Sequence, residues 1–292
     1  MKRLIVDKKY DGKKLNKFLL DNFPNLSFGI FCNALRKKDI KVNGKRINKD
    51  ICIFDGDEIL LYISDEILDN NFDMPLEIVY EDDNILIINK PTNIEVTGNN
   101  SLTSLIHKKY ENSDFKPMPC HRLDRNTTGL ILYAKNEQSL HILLEKFKKH
   151  EIEKHYLALV YGIPSKKFKR SEAYLFKDNK KSMVYISDVH KKGYVKIITS
   201  FSVLEKYSNN TSLLDVQIET GKTHQIRAHL AHMGYPIIGD GKYGKNEINK
   251  KFNQKNQALC SYIIKFNFST DSSILNYLNN LCFSLPIVNL WK

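Results

Sequence analysis

Apolar positions recur along this chain with two different periods, and the change between them divides it. From Lys14 to Asn22, and again from Ser27 to Lys37, the spacing is three to four residues and predicts two short helices. Strand-like runs follow at Ile40 to Val42 and Ile59 to Ile63, with Asn43-Gly44 and Asp55-Gly56 marking tight turns. An acidic, Asn-bearing stretch without apolar period then reads as a linker. From Leu76 onward strand signals dominate: Leu76 to Tyr80, Ile85 to Asn89, Gly129 to Ala134, Tyr156 to Tyr161, Met183 to Val189, Val195 to Leu204, Leu213 to Glu219 and Ala258 to Phe268. Helical patterns interrupt them at Leu102 to Tyr110, at Glu137 to Lys149 behind a capping Asn136, and at Thr223 to Met233, closed by Gly234. Strands outnumber helices and do not alternate with them. The expected class is therefore α+β: a small α/β module over residues 1–66, a linker at 67–75, and a domain at 76–292 with a mostly antiparallel mixed sheet flanked by helices.

Charge narrows the choice of partner. Across 292 residues, 45 Lys and Arg stand against 33 Asp and Glu, a net charge of +12 that attracts polyanions, nucleic acid first. Between Arg36 and Lys49 lie seven basic residues (Arg36, Lys37, Lys38, Lys41, Lys45, Arg46, Lys49) and one acid, Asp39. Flanking a helix end and a turn, they are placed to grip phosphates, although such a run also fits a plain solvated face. The apolar runs are too short to span a bilayer, and the opening residues break off before a signal segment forms, so the expectation is a cytoplasmic protein with no membrane partner.

Several apparent motifs fail on inspection. The five cysteines are scattered without a C-x-x-C pair, as in a reducing compartment. Cys120 beside His121 is a weak candidate thiolate. The run Gly239-Asp240-Gly241-Lys242-Tyr243-Gly244 fits a dinucleotide fingerprint in letters only, since Lys, Asn and Glu follow it, and Asn246 stands where a P-loop needs Ser or Thr. His224, His229 and His232 lack a ligand-spaced carboxylate, so no metal is expected.

The informative stretch is His121-Arg122-Leu123-Asp124-Arg125-Asn126-Thr127-Thr128-Gly129-Leu130. It sets a carboxylate beside an anion-binding pair, and a positioned carboxylate can act as a nucleophile. A surface ion-pair loop leading into a strand explains the same residues equally well.

This stretch closely resembles the signature of the RluA-type pseudouridine synthases, His-Arg-Leu-Asp-Arg-x-Thr-Ser-Gly, with Thr128 in place of Ser. Three further runs agree in order: Asn89-Lys90-Pro91, Lys154-His155-Tyr156-Leu157-Ala158-Leu159-Val160-Tyr161-Gly162, and Thr220-Gly221-Lys222-Thr223-His224-Gln225-Ile226-Arg227-Ala228-His229-Leu230, which continues through Gly234 to Asp240. The Lys-rich stretch from Ser165 to Lys192 fits only loosely. By this resemblance Asp124 is the catalytic aspartate, Tyr156 the aromatic beneath the target base, and Arg227 the arginine that pairs with Asp124. Arg122 would fill the gap left by a flipped uridine, with Arg125 and His121 as further RNA contacts, while His121, Thr127 and Thr128 also read as shaping the loop rather than reacting. Read from the pattern alone, Tyr156 also fits a strand core, because Leu157 and Leu159 alternate with it. The implied reaction cleaves the uridine glycosidic bond and rejoins the base through C5 to C1′, with attack on base, attack on sugar and loss of a ribose proton all open to one carboxylate. Residues 13–63 resemble the alpha-L RNA-binding domain through Leu15-x-x-Phe18-Leu19, Ile40-x-Val42-Asn43-Gly44 and Gly56-Asp57-Glu58-Ile59. That fusion implies large-subunit ribosomal RNA as substrate, with transfer RNA, or a non-catalytic RNA-binding factor, as the alternatives; separately, a monomer is expected.

Overall fold

The computed structural model describes residues 1–23, 26–63, 68 and 74–287. The chain forms two compact units: residues 1–75 with 97–105, and residues 76–96 with 106–292. The sequence pattern places 97–105 wholly in the second, and the fold differs there. Most of the linker expected at 67–75 lies outside the described residues. Among those described, no helix is long and apolar enough to cross a membrane.

In the first unit the helices α1 (Leu15–Asn22) and α2 (Phe28–Lys37) fall where the period places them. The Ser27 hydroxyl accepts from Ile30 N–H at the start of α2, and left-handed Lys38 ends it. Four strands, β1 (Lys2–Ile5), β2 (Ile40–Val42), β3 (Lys45–Arg46) and β4 (Glu58–Leu61), form a sheet in the order β1-β4-β2-β3. Asn43 and Gly44, both at positive φ, make the turn between β2 and β3. Leu15, Phe18, Leu19, Phe31, Ile40, Ile59 and Leu61 are buried together. β1 is not foreseen by the pattern: four residues with Lys and Arg among them carry little signal, and pairing with β4 makes the strand.

The second unit is built on one mixed sheet. Its main path comprises β5 (Glu77–Glu81), β6 (Ile85–Lys90), β8 (Thr128–Ala134), β9 (Ile152–Tyr161), β10 (Phe168–Asp178), β11 (Met183–Ser187), β12 (Val195–Tyr207), β13 (Thr211–Ile218) and β14 (Leu259–Phe266). The spatial order is β11-β10-β12-β13-β9-β14-β8-β6-β5, with the short β7 (Met118–Pro119) on β8 and β15 (Cys282–Ser284) on β14. Among the described residues every pairing in this sheet is antiparallel except β14 with β8. Further α-helices among the described residues are α3 (Leu102–Lys109), whose first four residues fall in the first unit, α4 (Glu137–Lys148), α5 (Gln225–His232) and α6 (Asn246–Lys251). The α4 cap is Asn136, whose side chain accepts from Ser139 N–H at 2.8 Å.

Three departures from the pattern bear on the site. β10 occupies the Lys-rich stretch, where only Ala173 and Leu175 are buried and the alternation is masked by charge. β9 begins at Ile152, so Lys154 and His155 belong to the strand. α5 begins at Gln225, leaving Thr223 and a left-handed His224 in the loop before it. After the glycine-rich turn, α6 does form, but it buries none of its residues, so the dinucleotide reading fails on polarity rather than on the lack of a helix.

The single parallel junction fixes the register around the site. Ser261 of β14 lies opposite Tyr156 of β9 on one side and Gly129 of β8 on the other. Gly129 has φ +106°, and a Cβ there would come within 2.2 Å of the Ser261 carbonyl oxygen, so only glycine lets the two backbones approach. Gly129→Ala should therefore destabilise the protein by about 3 kcal/mol or more, through both strain and clash. A denaturation midpoint equal to that of the wild type would show that the junction has more give than its geometry implies.

Candidate active site

The loop between β7 and β8 presents residues 121 to 127, and it is held from below. Lys90, at the end of β6, is fully buried, and its Nζ donates to the carbonyl oxygens of Pro91 at 2.8 Å, Ile94 at 2.9 Å and Arg125 at 3.0 Å. Three acceptors match the three donors of an ammonium, so Lys90 fixes the turn that follows Asp124. Burial pushes its pKa down to about 8, against the opposing charge of Asp124. Thr127 N–H donates to the Asp124 carbonyl at 3.0 Å, and the buried Thr127 hydroxyl accepts from Gln257 at 3.1 Å.

Above this loop lies a cavity of about 210 Å³, lined among others by Arg122, Asp124, Lys154, Tyr156, His224 and Arg227. Arg227 reaches it from α5. One edge of its guanidinium donates to Asp124 Oδ2 at 2.8 Å, while Nε and Nη2 grip Asp240 at 2.7 and 3.0 Å. The Tyr243 ring lies 5.3 Å from the same guanidinium. Asp240 is wholly buried and also accepts from the backbone N–H of Lys242 and Tyr243. Burial alone would raise its carboxyl, but the Arg227 fork and those two N–H groups hold it below the ordinary carboxylate range.

Tyr156 is 4% exposed yet faces this cavity, so it belongs both to the strand interior and to the site. Burial, with the charge of Asp124 beside it, raises its pKa, and the phenol keeps its proton at neutral pH. Lys154, two residues earlier on the same strand face, also lines the cavity, and burial lowers its pKa to about 8.

Of the residues singled out in the sequence, Asp124, Tyr156 and Arg227 converge. Asp124 draws its paired cation from α5, 103 residues onward, rather than from the arginines beside it. Arg122 and Arg125 are exposed, with Arg125 Nε donating to the Asn93 carbonyl at 3.2 Å. His121 borders the cavity, but its Nε2 accepts from Leu132 N–H at 3.1 Å and its ring lies 5.2 Å from Phe147, which suits shaping the loop more than holding RNA. Burial keeps that ring neutral.

In the first unit Arg36, Lys37, Lys38, Lys45 and Arg46 are exposed. Arg46 donates to the Lys38 carbonyl, and both Lys41 and Arg46 approach the Tyr62 ring, at 5.2 and 5.4 Å. Cys120 is buried, its thiol pushed up to about 12, far from a reactive thiolate. The three histidines do not gather: His229 bonds Thr199, His232 bonds Asp188, and His224 bonds Tyr243. Sequence reasoning passes over Asp240, Lys90, Lys154 and Tyr243 as site residues, although each lies in or beside a run already singled out. Glycines flanking an acid at Gly239-Asp240-Gly241 are the available signal of a carboxylate held by a backbone turn.

Comparisons with known proteins show which family the chain resembles. The family model described as RNA pseudouridylate synthase matches residues 84–232. A ribosomal large subunit pseudouridine synthase C of Rickettsia bellii is 33% identical, over 81% of this chain and 84% of its own length. An uncharacterized RNA pseudouridine synthase of Mycoplasma capricolum is 34% identical over 96% of both chains. Among solved structures, human RNA pseudouridylate synthase domain containing 1 shares the fold at TM-score 0.60 and 21% identity, covering 75% of this chain and 88% of that one.

The buried fork yields a direct test. Asp240→Ala should destabilise the protein by about 3 to 5 kcal/mol, because it strands a buried guanidinium. The folded-state pKa of Asp240 is depressed, so its contribution is complete above the ordinary carboxylate range and fades as pH falls through that range toward the folded value. The stability difference between variant and wild type, measured by denaturation across pH, should accordingly narrow on acidification, and a constant difference would contradict the assignment.

Proposed function

The chain belongs to the RNA pseudouridylate synthase family, and from that membership we propose that it converts uridine to pseudouridine in large-subunit ribosomal RNA, with Asp124 as the reacting carboxylate. The observation that carries the residue assignment is the 2.8 Å contact between Asp124 and Arg227 at the edge of a cavity that Tyr156 also faces. A carboxylate held by a rigid planar cation, itself fixed by Asp240, is aimed before substrate arrives. The substrate class rests on relatives named for the large ribosomal subunit, matched over 81% of this chain. The reaction conserves atoms and electrons, so this reading calls for no cofactor.

To reach the glycosidic bond the enzyme must draw its uridine out of the stack. In this reading Arg122, exposed on the same loop as Asp124 and lining the cavity, fills the vacated space. Tyr156 lies under the base, and as a neutral phenol it can exchange a proton near C5 directly or through water.

Residues 1–66 act in this reading as the RNA-binding module, on the strength of the exposed cations at the end of α2 and along the hairpin of β2 and β3. Phosphate contacts there would position the RNA, leaving recognition of the base to the cavity.

Asp124→Asn is isosteric and removes the charge, so turnover on ribosomal RNA should be abolished with RNA affinity nearly intact. Residual activity within tenfold of the wild type would refute the role. Tyr156→Phe should slow the reaction by about 10² to 10⁴ with stability little changed. Pseudouridine mapping in RNA from cells with and without the gene identifies the substrate, and a site missing from transfer RNA alone would redirect the assignment.

Replacing Lys37 and Lys45 by Gln should weaken RNA binding and flatten its salt dependence, by about 0.7 to 0.9 of a log unit in slope for each phosphate no longer neutralised. Titrations from low to high salt read this out. An unchanged slope would assign those cations to some other duty.

A further inference from the structure

We propose that His224 is a positioning residue for Asp124, held by Tyr243 as the neutral imidazole that carries its proton on Nε2 and presents that N–H to the carboxylate. The inference rests on Asp124 being the reacting group, and it adds a residue and a protonation state to that reading.

The backbone places the ring. His224 stands immediately before α5 at φ +53°, a left-handed conformation that residues bearing a side chain adopt infrequently and that persists where the surroundings hold it. This conformation sets the imidazole at the edge of the cavity. Nδ1 lies 2.8 Å from the Tyr243 hydroxyl, and Nε2 lies 3.9 Å from Asp124 Oδ2.

The direction of the first bond follows from a third group. Val184 N–H, on β11, donates to the same Tyr243 hydroxyl at 2.9 Å. Burial, the largest influence on Tyr243, raises its pKa, so the phenol has a proton to give at neutral pH. If that proton goes to Nδ1, Val184 N–H and the Tyr243 hydroxyl both have acceptors, and the imidazole N–H faces Asp124 at 3.9 Å. If Nδ1 carried a proton instead, the hydroxyl would accept twice and its own proton would lack an acceptor among the described residues. The first arrangement satisfies both bonds made at the hydroxyl, and it leaves the imidazole proton on Nε2, facing the negative charge of Asp124.

The ring stays uncharged through opposed influences. Burial is the largest and disfavours the cation; Asp124 and Asp240 favour it, and Arg227 and Lys242 oppose it, with a net pKa below the ordinary histidine value. Neutrality has a chemical consequence. An imidazolium here would neutralise the carboxylate by ion pairing, whereas a neutral N–H orients Asp124 and leaves its charge for the reaction. With Nδ1 occupied by Tyr243, His224 has no lone pair facing the cavity and cannot serve as a base toward the substrate. The 3.9 Å separation exceeds a hydrogen bond, and catalytic contacts of this kind shorten when substrate closes the site.

Nitrogen-15 spectra of the full-length protein test the tautomer directly, with the His224 signals identified by their disappearance in His224→Asn. That variant tolerates the left-handed backbone, and its shorter amide does not reproduce the imidazole. The expected wild-type state near neutral pH is the Nε2–H tautomer. Tyr243→Phe keeps the ring against Arg227 and removes only the hydroxyl, and it should let the Nδ1–H tautomer appear. His224→Asn should lower kcat by about 10- to 100-fold, the worth of one hydrogen bond to a charged group, with KM within about twofold. Tyr243→Phe should give a smaller reduction of the same kind. A wild-type Nδ1–H tautomer, or wild-type kcat in His224→Asn, would overturn the inference while an inactive Asp124→Asn left the parent reading standing. An active Asp124→Asn would remove both.

Discussion

One guanidinium holds the site together. Arg227 is buried on α5, and a cation in that position has to be neutralised where it stands. Its planar fork presents two usable edges: Asp240 takes one with both oxygens, and Asp124 meets the other through Nη1. The two carboxylates therefore have different roles. Asp240 has no exposed surface and two further backbone donors, which makes it the anchor, whereas Asp124 borders the cavity and keeps an oxygen for other partners. A lysine could satisfy the charge but not the two directions at once.

Around that fork the backbone is held by groups that do not line the cavity. Lys90 closes three carbonyl oxygens beneath the loop, one of them on the residue after Asp124. Gly129 lets β8 approach β14 closely enough for a parallel pair within an otherwise antiparallel sheet. That junction brings the end of the Asp124 loop beside the row containing Ser261 and Tyr156. Tyr243 connects β11 to the site through Val184, His224 and the face of Arg227, so the Lys-rich hairpin of β10 and β11 is tied to the cavity wall despite its featureless sequence. Each of these contacts removes a degree of freedom before substrate arrives, which is how a single carboxylate can be aimed.

The run from His121 to Leu130 stands out because its residue types are chemically unusual in sequence, and the runs around Tyr156 and Arg227 follow by resemblance. Their neighbours are harder to see. Asp240 looks like one more turn residue until the fold sets it against Arg227, and Lys90 looks like an ordinary strand end until three carbonyls are found on its ammonium. His121 illustrates the reverse: beside Arg122 it reads as a polar contact, but its ring is committed to Leu132 and Phe147. Local pattern also misses β10, since alternation is legible only when one face is apolar, and this strand carries Lys, Arg and Glu along most of its length.

By itself the sequence determined the class of fold, most helices and strands, and the run that carries Asp124, because periodicity, turn residues and short motifs are properties of neighbouring positions. Only the tertiary structure decided which cation Asp124 pairs with, that Tyr156 is at once interior and cavity-facing, that Asp240 and Lys90 support the site, and that Tyr243 orders His224. The two arms of the Arg227 fork alone reach across 13 and 103 positions, and the others depend on which strands lie side by side. No local pattern encodes them, because a buried charge selects its partner from whatever the folded chain brings within hydrogen-bond distance.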